Sequence, residues 1–263
     1  MAISTHRCRP GHEEAEEGYF VSMTDMMVGL LFLFIIMLML FALKYQEAAV
    51  NHAKSQHVLE TADEARSNIL KALREALERE GITVQIDTEN GILRLPEKIL
   101  FERGRANLSP TGQAAVASLA HAFGVVLPCY AIIPGTTRPR YCSEEQHSIE
   151  AIFIEGHTDS DGSPALNWNL SVQRALGTYQ ALISSDADLG NLKNKRNQAI
   201  LSVSGYGRER PVQPNDTDDD KRQNRRIDVR FIMLTPRPQE MDEVQRRLDE
   251  TPALGGPAEK RVP

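Results

Sequence analysis

The amino-acid sequence predicts a single N-terminal transmembrane helix, a long helical linker and an α/β sandwich whose mixed sheet carries helices on one side. Three observations predict this. Residues 26–43 are uncharged and mostly apolar without a break, which is the length a bilayer core demands of a helix. Residues 44–80 contain neither proline nor glycine and are rich in Ala, Glu, Lys and Leu, the composition of an extended helix. From residue 82 the helical period gives way to strands and helices in alternation, separated by turn signals. The chain accordingly divides into a polar tail (1–18), a span (19–43), a linker (44–80), a folded domain (82–234) and a Pro-rich tail (235–263).

The span contains one ionisable group, Asp25. A carboxyl inside a membrane helix costs about 2.5–3.5 kcal/mol on insertion scales, so its presence points to a use. Ser22, Asp25 and Gly29 share one helix face, a small and polar stripe suited to close approach by another helix. If Tyr19 marks the interface, Asp25 lies about 9 Å deep, placed to take up and release a proton. The alternative is that, with the hydroxyls of Thr24 and Ser22, it holds Na⁺. A blander reading keeps Asp25 at the membrane rim, near a helix N-terminus that favours carboxylates. The segment does not resemble a cleavable signal: it is long, carries an acid and is followed by Lys44-Tyr45-Gln46-Glu47 rather than small residues. Arg7 and Arg9 before it, against Lys44 and Lys54 after it, leave orientation nearly balanced.

Along 58–80, Val58, Ala62, Ala65, Ile69, Leu73, Ala76 and Glu80 follow helical spacing. This weak stripe is expected to pair with a second copy of the chain or to lie on a partner. Gly81 closes the helix as a C-cap. Ile82, Val84 and Ile86 then alternate with polar residues, Asn90-Gly91 signals a turn, and Ile92–Leu95 resumes a strand. Ser109-Pro110 reads as an N-cap with proline at the first helical position, and Val116, Leu119, Ala120 and Phe123 form that helix's buried face. An irregular loop spans 128–148. A strand (149–155), a helix (about 171–184), a strand (199–204) and a last strand (226–234) follow, a rhythm that indicates helices stacked on a mixed sheet.

The chain has 36 acidic and 30 basic residues, for a formal charge of −6, which gives no electrostatic footprint for nucleic acid. Of three cysteines, Cys8 precedes the span. Cys129 and Cys142 follow it and can form a disulfide in an oxidising compartment; two free thiols are the alternative. No CxxC pair suggests zinc. Ser204 has no GxSxG context, and Gly205-Tyr206-Gly207 is a turn rather than a phosphate loop. His157 reads as structural, so neither catalysis nor a metal nor a cofactor is expected.

Asp159 and Arg174 carry opposite charge, one on the loop after a strand and one on the next helix. Together they can clamp a zwitterion, carboxylate to ammonium and guanidinium to carboxylate, or pair with one another. Residues 152–175, with GHTD and NxxLSxxRA, and 199–232, with GxG and NRR, resemble the peptidoglycan-binding domain of the OmpA/MotB family. ILFERGRANLSPTGQ upstream resembles that family's entry strand and first helix. The resemblance implies that the zwitterion is the diaminopimelate side chain of the wall's stem peptide. It also places Thr158, Asn167 and Arg225 on contact positions, with Leu170 in the apolar wall. Glu102, where the family often has Asp, and the long 128–148 loop depart from the pattern.

A membrane helix with an early Asp, an extended helix and such a domain together resemble the plan of MotB-type stator subunits. The membrane segment looks closest to the MotB-like subunits of Zorya anti-phage systems; flagellar stators and passive wall tethers are the alternatives. The resemblance implies an inner-membrane location with a cytoplasmic N-terminus and a periplasmic domain. It also implies two copies inside a five-membered ring of a polytopic ZorA-like or MotA-like partner, translocating H⁺ or Na⁺.

Overall fold

The structure, a computed structural model, describes residues 13–102, 104–142 and 147–235, except the side chains of 13–22 and 54–55. Cys8, the first residues of the N-terminal tail, the side chain of Ser22 and the Pro-rich tail from 236 lie outside the described residues. Contacts divide the chain into two compact units, residues 1–57 and 58–263. Helix α1 (Glu13–Arg79) runs through both, because no proline interrupts it and its two glycines, Gly18 and Gly29, lie near its start.

In the first unit, α1 exposes its apolar side chains on every side, from Met26 to Leu43. Its best window has a mean hydropathy of 3.0 and none of it is buried. By length and composition this segment is apolar enough to cross a membrane.

In the second unit, the C-terminal part of α1 belongs to the domain core. Ala62, Ala65, Ile69, Leu70, Leu73 and Leu77 are buried and cluster with Leu93, Phe123 and Phe231. This corrects the expectation that the stripe beyond residue 62 pairs with a copy or a partner. Leu70 and Leu77, outside the sequence stripe, widen the buried face enough to cover a core. The compact unit therefore begins at Val58 rather than with the first strand. α1 ends in a Schellman motif: Ile82 N–H donates to the Leu77 carbonyl (2.9 Å) and Gly81 N–H to that of Glu78 (3.0 Å), with Gly81 at φ +78°.

The sheet has five strands in the order β1-β2-β5-β3-β4. β1 (Gln85–Asp87), β2 (Ile92–Pro96), β5 (Arg226–Met233) and β3 (Ile149–His157) pair antiparallel, and β4 (Leu201–Gly205) joins β3 in parallel. The β1–β2 turn is held by Asp87, whose carboxylate accepts from the Asn90 backbone and side chain, both at 3.0 Å. Side chains alternate along β3 and β5. Ile152, Ile154, Ile227, Val229 and Phe231 are fully buried in the core cluster. Glu155, His157, Arg226, Asp228 and Arg230 take the opposite face.

Helix α2 (Glu97–Leu100) is a single turn directly after β2. This corrects the expected entry strand around Ile99–Phe101, where one bridge from Phe101 to Leu108 is all that pairs. Helix α3 (Pro110–Val126) starts at the predicted Ser109 cap, whose Oγ accepts from Gly112 N–H at 3.0 Å. Though apolar enough to cross a membrane by composition, α3 is half buried, and Phe123 packs edge-on against Phe231 with ring centroids 6.1 Å apart. Helix α4 (Pro164–Ser185) begins about seven residues before the expected start. Ser163 caps it, with Pro164 at the first position. Helix α5 (Asp218–Asn224) opens on a capping box between Thr217 and Asp220. Cys129 and Cys142 are joined by a disulfide with their Cα atoms 5.2 Å apart, closing the first part of the long loop.

Candidate functional site

The end of β3 is drawn against α4 by a missing side chain. A Cβ on Gly156 would lie 2.0 Å from the Ser171 carbonyl, so only glycine lets strand and helix approach this closely. Ser171 tightens the junction: its Oγ donates to the Trp168 carbonyl (2.8 Å) and accepts from Gly207 N–H (2.9 Å). The GHTD, LS and GxG signatures thus meet at one place. Thr158 N–H donates to the Gly207 carbonyl at 2.9 Å, and Thr158 Oγ1 donates to the Asp159 carbonyl at 3.1 Å. Asn167, on the first turn of α4, donates to the carbonyls of Asp161 (2.8 Å) and Asp159 (3.4 Å).

Asn224, fully buried, fixes the other wall. Its side-chain oxygen accepts from Val212 N–H (2.7 Å) and Gln213 N–H (3.0 Å), and its amide donates to the Gln213 carbonyl (2.9 Å). The next two residues of NRR then diverge. Arg226 turns to the sheet face opposite the apolar core, where it is buried against Asp228, and Arg225 turns to the site.

Asp159 and Arg174 do not pair directly. Arg225 Nη1 donates to Asp159 Oδ2 at 2.5 Å, while its Nε donates to Glu97. Arg174 pairs with the other Glu97 oxygen, donates from Nε to the Arg105 carbonyl (2.8 Å) and lies 5.1 Å over the Phe101 ring. Four charges therefore form a neutral row, Arg174–Glu97–Arg225–Asp159. Arg174 is 2% exposed, Glu97 and Asp159 each 6%. Burial lowers the Arg174 pKa, with Glu97 acting against it. For Arg225 burial also acts against the charge, but the Asp159 bond and Glu97 outweigh it and its pKa is raised.

Of the sequence-predicted residues, Thr158, Asp159, Asn167, Arg174 and Arg225 come together, and Leu170 on α4 is half-buried. Glu97 was not foreseen. It arrives because β2 pairs with β5 and Glu97 N–H donates to the Arg225 carbonyl at 3.0 Å. The only trace of it in the sequence is a lone acid in the apolar stretch Ile92–Leu100. Thr24 and Asp25 lie on the exposed part of α1 in the other unit.

On the sheet face opposite the apolar core, Glu155, His157 and Asp228 are buried and converge with potential ligand atoms within 4.8 Å of one another. Guanidiniums already hold both acids: Arg230 donates to Glu155 at 2.9 and 3.0 Å, and Arg94 and Arg226 to Asp228 at 3.1 and 2.9 Å. Three cations against two carboxylates oppose a metal ion. Burial raises the Glu155 pKa, but His157 at 3.8 Å and the paired bonds from Arg230 win and hold it at about 2. Burial pushes the His157 pKa down, and the ring stacks on Tyr206 with centroids 5.3 Å apart.

Comparison with known proteins matches residues 140–225 to the OmpA family. The probable lipoprotein YiaD of Escherichia coli is 29% identical over 62% of this chain and 60% of its own length. The Zorya protein ZorB of E. coli is 24% identical over 88% of both chains. Motility protein B of Bacillus subtilis is 23% identical over 66% of this chain and 57% of its own. The chain thus spans less than two thirds of two of these relatives and most of the third. The chain carries an OmpA-like domain behind a long N-terminal helix, and it is similar to ZorB over most of its length and to motility protein B over about two thirds of it.

Proposed function

We propose that this chain is the wall-anchored, ion-conducting subunit of an inner-membrane motor that acts in anti-phage defence with a polytopic ZorA-like partner. One observation carries the reading: a membrane-length helix with a single early carboxylate and a buried, neutral array of two acids and two arginines occur in one chain. Similarity to ZorB over nearly the whole length supports it. Two copies stand inside the partner's ring with N-termini in the cytoplasm. Asp25, flanked by Thr24 and Ser22, takes up H⁺ (or Na⁺) and releases it as the ring steps around the pair.

The folded domain lies in the periplasm, where the Cys129–Cys142 bond is compatible with the redox poise. Its site takes the zwitterionic diaminopimelate side chain of peptidoglycan. Asp159 receives the ammonium and the arginines the carboxylate, while Thr158 and Asn167 shape the loop and Leu170 contributes apolar wall. Anchoring turns ion flux into torque instead of idle rotation of the pair. The similarity to motility protein B favours a second reading, a flagellar stator.

Phage plating on cells carrying the intact operon tests the proposal, comparing wild type, Asp25→Asn and Asp159→Asn at matched protein levels. Loss of protection by both variants is expected. Protection surviving Asp25→Asn would reduce the chain to a passive tether. No protection from the wild type would favour the stator of motility, to be measured by swimming.

A further inference from the structure

On the wall-binding reading, the same row of charges also assigns a seat to the ligand's carboxylate. The row Arg174–Glu97–Arg225–Asp159 is neutral and every member is engaged. A zwitterion entering it brings no net charge to be balanced, but it finds no partner free. Glu97 lies between two guanidiniums, the environment that a free carboxylate seeks. Arg225 on Asp159 likewise stands where an ammonium is expected. We propose that Glu97 is the resident occupant of the ligand's carboxylate seat, a seat formed jointly by Arg174 and Arg225, and that the wall peptide binds by displacing it.

The surroundings decide which residue moves. A cavity of about 610 Å³ opens beside the array and is lined by both Glu97 and Arg225, together with Thr83, Gln85, Val212 and others. Apart from Glu97, its charged lining is entirely basic: Arg94, Lys98, Arg222, Arg225 and Arg226. Arg94 and Arg226 are engaged by Asp228 and Arg222 by Asp219. Among the described residues Lys98 has no such acid, so a carboxylate turning into that cavity is drawn towards it and a guanidinium is repelled. Glu97 is therefore the displaced group and Arg225 stays. The incoming carboxylate takes the place of Glu97 between Arg174 and Arg225. The ammonium meets Asp159 at Oδ1, which accepts a backbone N–H from Asp161 at 3.1 Å. Wall affinity is then set by competition between an internal and an external carboxylate, and it rises when the internal one is removed.

The test uses the full chain in detergent micelles and calorimetric titration with a muropeptide whose tripeptide ends in meso-diaminopimelate. Glu97→Gln keeps shape while removing the charge, and it is expected to bind about tenfold more tightly, because the closed fraction no longer taxes the affinity. The gain should vanish for a muropeptide amidated at the diaminopimelate carboxylate. Equal or weaker binding by Glu97→Gln, with the wild type still binding, would overturn the displacement and leave the wall-binding reading intact. No binding by either protein would overturn both. Glu97→Ala gives an independent readout in thermal unfolding: excess acetate should refill the seat and raise its Tm more than that of the wild type. An equal response of the two proteins would count against the seat.

Discussion

Replacing Leu73 by alanine tests whether the C-terminal part of α1 is core or linker. Leu73 is 0% exposed and clusters with Ile69, Leu70 and Leu77 against the sheet and α3. Truncating a leucine buried to this degree removes its transfer free energy and leaves a cavity, at a cost of about 2–5 kcal/mol. For a unit of this size each kcal/mol lowers Tm by roughly 2–4 °C, so Leu73→Ala should melt about 5–15 °C below wild type. Leu59, on the same helix but 49% exposed, supplies the control, because a surface truncation stays within about 0.5 kcal/mol. The assay is near-UV circular dichroism of the full chain in detergent, following tertiary packing of the aromatic residues rather than helix content. If Leu73→Ala and Leu59→Ala melt together, the stripe is not part of the core, and the helix is a linker after all.

Two further outcomes follow from the electrostatics and the crosslink. The Glu155 carboxyl is held at about 2 against an ordinary 4.5. The stability it contributes, about 3 kcal/mol at most, is present above pH 4.5 and lost as pH falls from there towards 2. His157, with its pKa lowered, adds a loss that begins higher, as the unfolded chain takes up a proton below about 6.5 that the folded chain refuses. The Tm difference between wild type and Glu155→Gln should therefore shrink steadily on acidification from pH 5 to pH 3; a constant difference would refute the assignment. Reducing Cys129–Cys142, or replacing Cys142 by serine, opens a loop whose ends are 13 residues apart and should cost up to about 3 kcal/mol. An unchanged Tm under reductant would show that the bond contributes nothing.

The signatures that place the site were legible because each has a local physical job. Gly156 permits a contact, Asn224 satisfies three backbone groups, and Ser171 joins two turns. The strands expected at 149–155 and 226–234 are found as β3 and β5, and the Ser109 cap was marked by its proline. The start of α4 carried the same Ser-Pro signal at Ser163-Pro164, yet it was hidden behind the loop-like GSP composition that surrounds it. Two features were beyond local reading. The alanine-rich stripe of α1 says only that something covers it, and its own sheet is as good a partner as another chain. Glu97 lies in no motif and reaches Arg225 across a sequence separation of 128 residues, so only the strand register reveals the pair.

That separation has a consequence for how the protein matures. The four charges of the site come from the start of α2, the loop after β3, the middle of α4 and the junction of α5 with β5. No two of them are neighbours in sequence, and the array closes only when β5 has inserted between β2 and β3. Non-local pairings of this kind form late, since loop closure must precede their reward. The last described strand to be synthesised is thus the central one of the sheet. On the wall-binding role proposed above, a chain lacks the complete charge array until that strand docks, so attachment is reserved for molecules that have finished folding.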